Sequence, residues 1–146
     1  MSVTMSLVSL AAVVVEAPPR GVDAWPHTVV MPPRLAEMRW QHRVLLVSAP
    51  DDDDPELVRQ RGIFAAMQAA AGERDLVMVT VVGDVVGGAW DAATTLRRRH
   101  RLDGDRFVAV LIGKDGGEKS RSGTAVTAGE LVADIDAMPM RRGGER

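Results

Sequence analysis

Three runs of consecutive apolar residues stand out along the chain, at residues 43–49, 76–82 and 107–112. Each run is rich in valine, leucine or isoleucine, and each is followed directly by a proline or a glycine. A short continuous apolar run of this kind is typical of a strand that is buried on both faces of a sheet. The pattern therefore predicts a sheet with these three strands at its centre.

Between the first two predicted strands, apolar residues recur at the spacing of an amphipathic helix over residues 55–71. This helix and the strands that flank it predict a right-handed parallel unit. We expect the buried stripe of the helix to consist of Ile63, Phe64, Met67, Ala70 and Ala71. We expect its polar residues to lie off that stripe, namely Glu56, Arg59, Gln60 and Arg61.

Two further helices are predicted from residue spacing and capping signals. The first is indicated by residues at intervals of four, three and four, namely Ala89, Ala93, Leu96 and His100. It ends in the basic residues 97–101. The second begins near Thr127, which has capping-box spacing with Glu130, and it ends near Met138, before Pro139.

A hairpin is predicted after the third strand. Residues 113–117 contain an Asp-Gly pair, which favours a tight turn, so residues 118–122 should return antiparallel as a polar edge strand. The resulting order is β-α-β-α-β-β-α. This order predicts an α/β domain of the thioredoxin-like class, with a four-stranded mixed sheet and helices on both faces.

The N-terminal residues 1–39 differ in composition from the rest of the chain. Residues 6–15 form a short apolar run and small residues follow it, so residues 1–17 resemble a secretory signal; the alternative is an N-terminal strand. Residues 18–39 are predicted to be a linker because they contain Pro18, Pro19, Pro26, Pro32 and Pro33. We expect the domain to occupy residues 40–142, with Trp40 capping the core, and residues 143–146 to form a tail.

The signal-like segment predicts a periplasmic or secreted protein, with the cytoplasm as the alternative. The apolar run is shorter than the roughly 20 residues that a membrane-spanning helix needs, so integral membrane insertion is not expected. The length of 146 residues and the 46% share of hydrophobic residues fit one domain. The net charge of -2 gives no whole-molecule attraction to nucleic acid.

The chain contains no cysteine, which excludes disulfides, thiolate nucleophiles and zinc-thiolate or iron-sulfur sites. Thiol-disulfide exchange requires a thiolate, so the protein is not a thiol oxidoreductase. Its histidines, His27, His42 and His100, show no metal-ligand spacing, and no serine lies in a nucleophile elbow. No cofactor is expected.

Several segments together resemble the thioredoxin-like family known as P-DUDES. The matching pieces are Trp40, Arg-Val-Leu-Leu-Val at 43–47, Ala49-Pro50, Leu-Ile-Gly-Lys-Asp-Gly-Gly at 111–117, Lys119, and Ile-Asp-Ala-Met-Pro-Met-Arg-Arg at 135–142. The resemblance implies a thioredoxin-like or peroxiredoxin-like scaffold, often exported, whose activity is not established. The family includes small bacterial proteins and domains of vertebrate sushi-repeat and coiled-coil-containing matrix proteins.

This chain departs from active thioredoxins at two places. The junction of the first strand and first helix, where a redox pair would lie, reads Pro-Asp-Asp-Asp-Asp-Pro at residues 50–55. In addition, Arg106 stands before Phe107, where thioredoxins present a cis-proline to the substrate.

The aspartate run at residues 51–54 is the most conspicuous candidate site. Asp54 followed by Pro55 and Glu56 has the pattern of an ordinary helix cap. The surplus carboxylates suggest a weaker alternative, a calcium site formed by Asp51, Asp52, Asp53 and Asp54, although the ligand spacing of an EF-hand is missing. The candidate binding residues are Asp51, Asp52, Asp53, Gln60, Lys114 and Lys119.

Three groups of basic residues each have a structural explanation beside a functional one. Lys114 and Lys119 flank the predicted hairpin and either reach toward an anion or are merely solvated. The basic residues 97–101 complement a helix C-terminus, and no aromatic residues are interleaved with them for stacking on bases, so nucleic acid is not the expected partner. Arg141 and Arg142 are candidates to pair with Asp134 or Asp136.

These observations favour a noncatalytic binding or interaction module. The sequence does not identify the partner, and a protein is one candidate. The alternative is a non-redox enzyme or a calcium-binding site that uses the carboxylates of residues 51–54.

Overall fold

The computed structural model describes residues 32–138. A 3-10 helix at Leu35–Met38 comes first. The remaining elements are β1 (Arg43–Ala49), α1 (Pro55–Ala66), α2 (Gln68–Glu73), β2 (Leu76–Val82), β3 (Val85–Gly87), α3 (Ala93–His100), β4 (Val108–Ile112), β5 (Glu118–Ser122) and α4 (Ala128–Asp136). The chain is therefore a mixed α/β domain over these residues.

The five strands form one mixed sheet in the order β3-β2-β1-β4-β5. β1 lies parallel to β2 and antiparallel to β4, and Leu45 pairs with Met78 on one side and Leu111 on the other. The three apolar runs are thus the central strands, as their composition predicts. β5 is antiparallel to β4 at one edge and is mostly exposed, which confirms the predicted hairpin.

Alternate residues of the central strands pack into two separate apolar cores, one on each face of the sheet. In β1, Val44 and Leu46 pack with the 3-10 helix and α3, whereas Leu45 and Val47 pack with α1, α2 and α4 on the other face. Successive side chains of a strand point to opposite faces, so a strand covered on both sides is apolar at most positions. This packing confirms helices on both faces of the sheet.

The sheet has five strands, and the prediction of four was wrong. The additional strand, β3, forms an antiparallel hairpin with the end of β2. Gly83 has a positive φ of 57° and starts the turn between the two strands. β3 has only three residues, too few for a periodic signal in the sequence.

The predicted helix over residues 55–71 is two helices. Met67 has φ −111° and ψ 27°, and its N–H donates to Phe64 O at 3.1 Å, so the last turn of α1 tightens and α2 restarts at Gln68. The predicted stripe was also partly wrong, because Leu57 and Gln60 are fully buried while Ile63 and Phe64 are only partly buried.

The other helices differ from prediction at their ends. α3 begins at Ala93 rather than Ala89, and Arg101, with φ 53°, terminates it. α4 ends at Asp136, two residues before the predicted Met138. The predicted capping box of α4 is confirmed: Thr127 Oγ1 accepts from Glu130 N at 3.1 Å, and Glu130 Oε1 accepts from Thr127 N at 2.9 Å.

The residues before β1 contribute to the core. Leu35 and Met38 are buried, so packing begins before the expected start at Trp40. Trp40 does not cap the core: 59% of it is exposed, and Arg39 lies over its ring at 5.4 Å from the centroid. The predicted signal segment, residues 18–31 of the linker, Arg141, Arg142 and the tail lie outside the described residues.

In the described part of the chain, no helix has the length and apolar character required to cross a membrane.

Candidate functional site

The aspartate run ends in a confirmed helix cap, Asp54. Asp54 Oδ2 accepts hydrogen bonds from Glu56 N and Leu57 N, both at 3.1 Å, and Pro55 occupies the first helical position. The carboxylate satisfies backbone donors that have no partner within the helix, and its charge faces the positive end of the helix dipole.

The remaining aspartates make local contacts. Asp51 Oδ1 accepts from Asp53 N at 2.9 Å, which closes a short turn, and Asp52 lies 3.2 Å from Arg61. All three side chains are exposed. Within residues 32–138 no group of three or more histidine, aspartate or glutamate side chains is placed to hold a metal ion.

Gln60 is part of the fold rather than of an open surface. Its Nε2 donates to Val126 O at 3.0 Å, and its Oε1 accepts from Val126 N at 2.7 Å. Glu56 Oε1 accepts from the neighbouring Ala125 N at 2.8 Å. These bonds attach the segment before α4 to α1, which explains why a polar residue is fully buried here.

Lys114 is also buried, with only 7% of it exposed, and its Nζ donates to Asp75 Oδ2 at 2.8 Å. This hydrogen bond lowers the pKa of the Asp75 carboxyl below its ordinary value, against the opposing effect of burial. Of the two alternatives stated for Lys114, solvation is therefore wrong.

Lys119 lies on the hairpin and pairs with Asp115 at 3.0 Å. Asp115 Oδ1 also accepts from Gly117 N at 2.9 Å, and these two bonds, the backbone bond first, lower the pKa of the Asp115 carboxyl. The predicted turn is confirmed, because Gly113 N donates to Gly117 O and Gly116 N donates to Gly113 O.

The candidate residues do not form one site. Asp51, Asp52 and Asp53 follow the C-terminal end of β1, whereas Lys114 and Lys119 follow β4. β4 runs antiparallel to β1, so its C-terminal end lies beside the N-terminal end of β1, where Val44 pairs with Ile112. The two groups therefore lie at opposite ends of the sheet.

The basic end of α3 is held by contacts with other segments. Arg97 donates to Gly83 O, and Arg121 of β5 donates to His100 O at 2.6 Å and to Arg101 O at 3.1 Å. Arg121 also pairs with Glu118 at 3.0 Å. A cation that donates to the last carbonyls stabilises a helix C-terminus, as the sequence indicates for this segment.

A cavity of about 200 Å³ lies at the end of the sheet that carries the hairpin. It is open to solvent on one side and is lined by the 3-10 helix, the residues before β1, the turn after β4 and the end of α3. Its apolar lining residues are Leu35, Ala36, Met38, Val44 and Ile112. Its basic lining residues are Arg39, His42, Arg99 and His100, and Gly113 and Gly116 contribute backbone.

Gly116 is required at the rim of this cavity. Its φ is +85°, and a Cβ atom at this position would lie 3.1 Å from Arg39 Nε. Only glycine adopts that backbone conformation without strain and lets the Arg39 side chain approach so closely.

Each of the two histidines has one ring nitrogen, His42 Nδ1 and His100 Nε2, that is shielded from solvent and has no hydrogen-bond partner among the described residues. Burial lowers the pKa of His100, and the neighbouring Arg99 lowers it further. Sequence spacing did not reveal this pair, because His42 precedes β1 and His100 ends α3.

A second cavity, of about 620 Å³, shares Met38 and His42 with the first. Its other lining residues are mostly apolar, with Pro32 and Pro33 on one side and Leu76, Val77 and Met78 of β2 on the other. None of the basic residues of the smaller cavity other than His42 lines it.

The residues from the 3-10 helix to α4 match a known sequence family. The family model described as Domain of unknown function (DUF4174) matches residues 34–143. This match spans most of the chain and includes every lining residue of the smaller cavity. The chain therefore belongs to the DUF4174 family.

Proposed function

We propose that this domain is a noncatalytic binding module on a thioredoxin-like scaffold of the P-DUDES type. The strands β2, β1, β4 and β5 support the scaffold assignment, because one parallel pair and one antiparallel hairpin form the mixed sheet expected from the element order. On this interpretation β3 is an extension at the free edge of β2.

The observation that carries the proposal is the gathering of Arg39, His42, Arg99 and His100 around one small cavity. A concave, largely apolar pocket with a few converging polar groups is the usual form of a ligand site. By contrast, Asp54, Gln60 and Lys114 all make hydrogen bonds within the domain. We therefore assign binding to the cavity and not to the junction of β1 and α1.

The test is a fragment screen on the ¹⁵N-labelled full chain, followed by amide chemical shifts. The mixture contains small carboxylates, phosphates, amines and neutral amides. We expect at least one class to shift the amides of Ala36, Ile112, Gly113 and Gly116, which line the cavity. Shifts confined to residues 50–56, or no shifts with any class, would contradict the proposal.

Calcium provides a separate test of the alternative site. Melting curves with calcium and with a chelator should coincide if residues 51–54 serve only the turn and the helix cap. A calcium-dependent rise in melting temperature that is abolished by replacing Asp51 and Asp52 with Asn would instead favour the metal site.

We also propose that the protein is exported, on the basis of the apolar run at residues 6–15 and the family resemblance. N-terminal sequencing of the protein recovered from its native host should show a start near residue 18. A cytoplasmic protein that retains Met1 or Ser2 would contradict export.

A further inference from the structure

The geometry points to a small organic anion, a carboxylate attached to a compact apolar group, as the ligand of the cavity between the 3-10 helix, the β4–β5 turn and α3. This inference rests on the proposed binding function and specifies its ligand class. Three observations support this ligand class: the positive charge around the cavity, two arginines that form no ion pair with another described residue, and the apolar lining and volume of the cavity.

The charge around the cavity is positive. Arg39 and Arg99 line it and carry the positive charge, and its lining includes no aspartate or glutamate. Acidic residues of the segments around the cavity have partners within the domain. Asp75 binds Lys114, Asp115 binds Lys119, Glu118 binds Arg121, Glu37 accepts from Arg34 N at 2.8 Å, and Asp91 accepts from Leu35 N at 2.7 Å. A cleft lined by one sign of charge concentrates ligands of the opposite sign.

The two arginine side chains are available to a ligand. Arg39 and Arg99 are exposed residues, and neither forms an ion pair with another residue in the described range. Arg39 also lies over the ring of Trp40 and close to Gly116. A guanidinium group recognises a carboxylate through two parallel N–H···O bonds.

The apolar lining and the volume limit what else the ligand contains. Leu35, Met38, Val44 and Ile112 are buried core residues that form the floor. An apolar cavity of roughly 150 Å³ holds benzene, whereas pockets for drug-sized ligands begin at roughly 300 Å³. A cavity of about 200 Å³ therefore suits one small ring or a short branched chain together with its carboxylate.

The test compares sodium benzoate with benzamide, which has nearly the same shape and no charge. Each is titrated into the ¹⁵N-labelled full chain, and the amides of Ile112, Gly113 and Gly116 are followed. We expect saturable shifts with benzoate and an affinity for benzamide that is lower by about tenfold, because only the carboxylate forms charge-assisted bonds.

Matched arginine variants test whether Arg99 and Arg39 bind the carboxylate of benzoate. Arg99→Gln should weaken benzoate binding by roughly three- to tenfold and leave benzamide binding unchanged. Arg98→Gln, at the neighbouring exposed residue that does not line the cavity, should retain the affinity of the parent. Arg39→Gln is a second variant, at the other arginine that lines the cavity, with the same expected loss.

The outcomes separate this inference from the proposed function. Equal affinities for benzoate and benzamide, or equal losses in Arg98→Gln and Arg99→Gln, would overturn the anion assignment while leaving a ligand-binding cavity. If only amines or neutral amides shift the cavity amides, and neither benzoate nor any other carboxylate does, the anion assignment is also wrong. If no fragment in the screen shifts these amides, the proposed function itself fails.

Discussion

The side-chain amide of Gln60 forms two hydrogen bonds with the backbone of Val126, donating to its carbonyl at 3.0 Å and accepting from its N–H at 2.7 Å. The amide thus pairs both backbone polar groups of Val126, which lies between β5 and α4. Because Gln60 is fully buried, these bonds must be satisfied within the protein. They fix the path of the chain from β5 to α4.

Gln60→Leu should lower the free energy of unfolding by about 2–4 kcal/mol, because it leaves the N–H and C=O of Val126 unpaired in a partly buried position. Urea denaturation measures this change. Gln68→Leu is the matched control, since Gln68 is exposed and bonds only to Phe64 O; it should change stability by less than about 0.5 kcal/mol. Similar losses in both variants would contradict a special role for Gln60.

Asp54→Ala should lower the free energy of unfolding by about 0.5–2 kcal/mol, because it removes the acceptor for Glu56 N and Leu57 N at the start of α1. Asp53→Ala is the control in the same run, and Asp53 does not cap the helix. Replacing Asp51 and Asp52 with Asn should have little effect or stabilise slightly by reducing repulsion between like charges. Thermal unfolding would contradict the cap if Asp53→Ala were as damaging as Asp54→Ala.

The ion pair between Asp75 and Lys114 should make stability depend on acid pH. The pKa of Asp75 is lowered from its ordinary value of 3.8, so its contribution is present above pH 3.8 and is lost as pH falls through the lower pKa of the folded state. Asp75→Asn, which tolerates the positive φ of 54° at this position, should cost about 1 kcal/mol at neutral pH and much less in acid.

Urea unfolding at neutral and acid pH measures this effect, with Asp134→Asn as the control. Asp134 is exposed on α4 and makes no ion pair with a residue in the described range. Its replacement should leave the pH dependence unchanged. An Asp75→Asn variant with the same acid dependence as the parent would refute the assignment.

His100 should give the protein a second, weaker pH dependence. Burial, followed by Arg99 and Arg121, lowers the pKa of His100 from its ordinary value of 6.5, while Glu118 and Asp91 oppose this shift. The unfolded chain then binds a proton at a higher pH than the folded protein does. Stability is therefore complete above pH 6.5 and falls as pH decreases from 6.5 to the folded pKa.

His100→Gln should remove this part of the pH dependence. Unfolding free energies measured from about pH 7.5 to about pH 5.5 should fall less in the variant than in the parent. A direct NMR titration of the His100 ring should give a pKa below that of a histidine in a short peptide. A ring pKa above the peptide value would show that the imidazole is not desolvated.

The sequence by itself determined the central sheet and the helix caps. The strands β1, β2 and β4 are apolar at nearly every position, with Arg43, Ser48 and Thr80 as the exceptions, and such a run has few alternatives to a strand covered on both faces. Asp54, Thr127 and Glu130 form caps with residues two or three positions away. Information of this kind is local, so it can be predicted from spacing alone.

Only the tertiary structure decided which polar residues are buried and which ones meet. The sequence does not distinguish Gln60 and Lys114 from solvated residues, because their partners, Val126 and Asp75, belong to distant segments. His42 and His100 reach one cavity for the same reason. β1 pairs with β4 in one register, and this brings the residues before Arg43 beside those after Ile112, where α3 ends. Strand register and helix docking are set by the packing of the whole core, so no short window of sequence contains them.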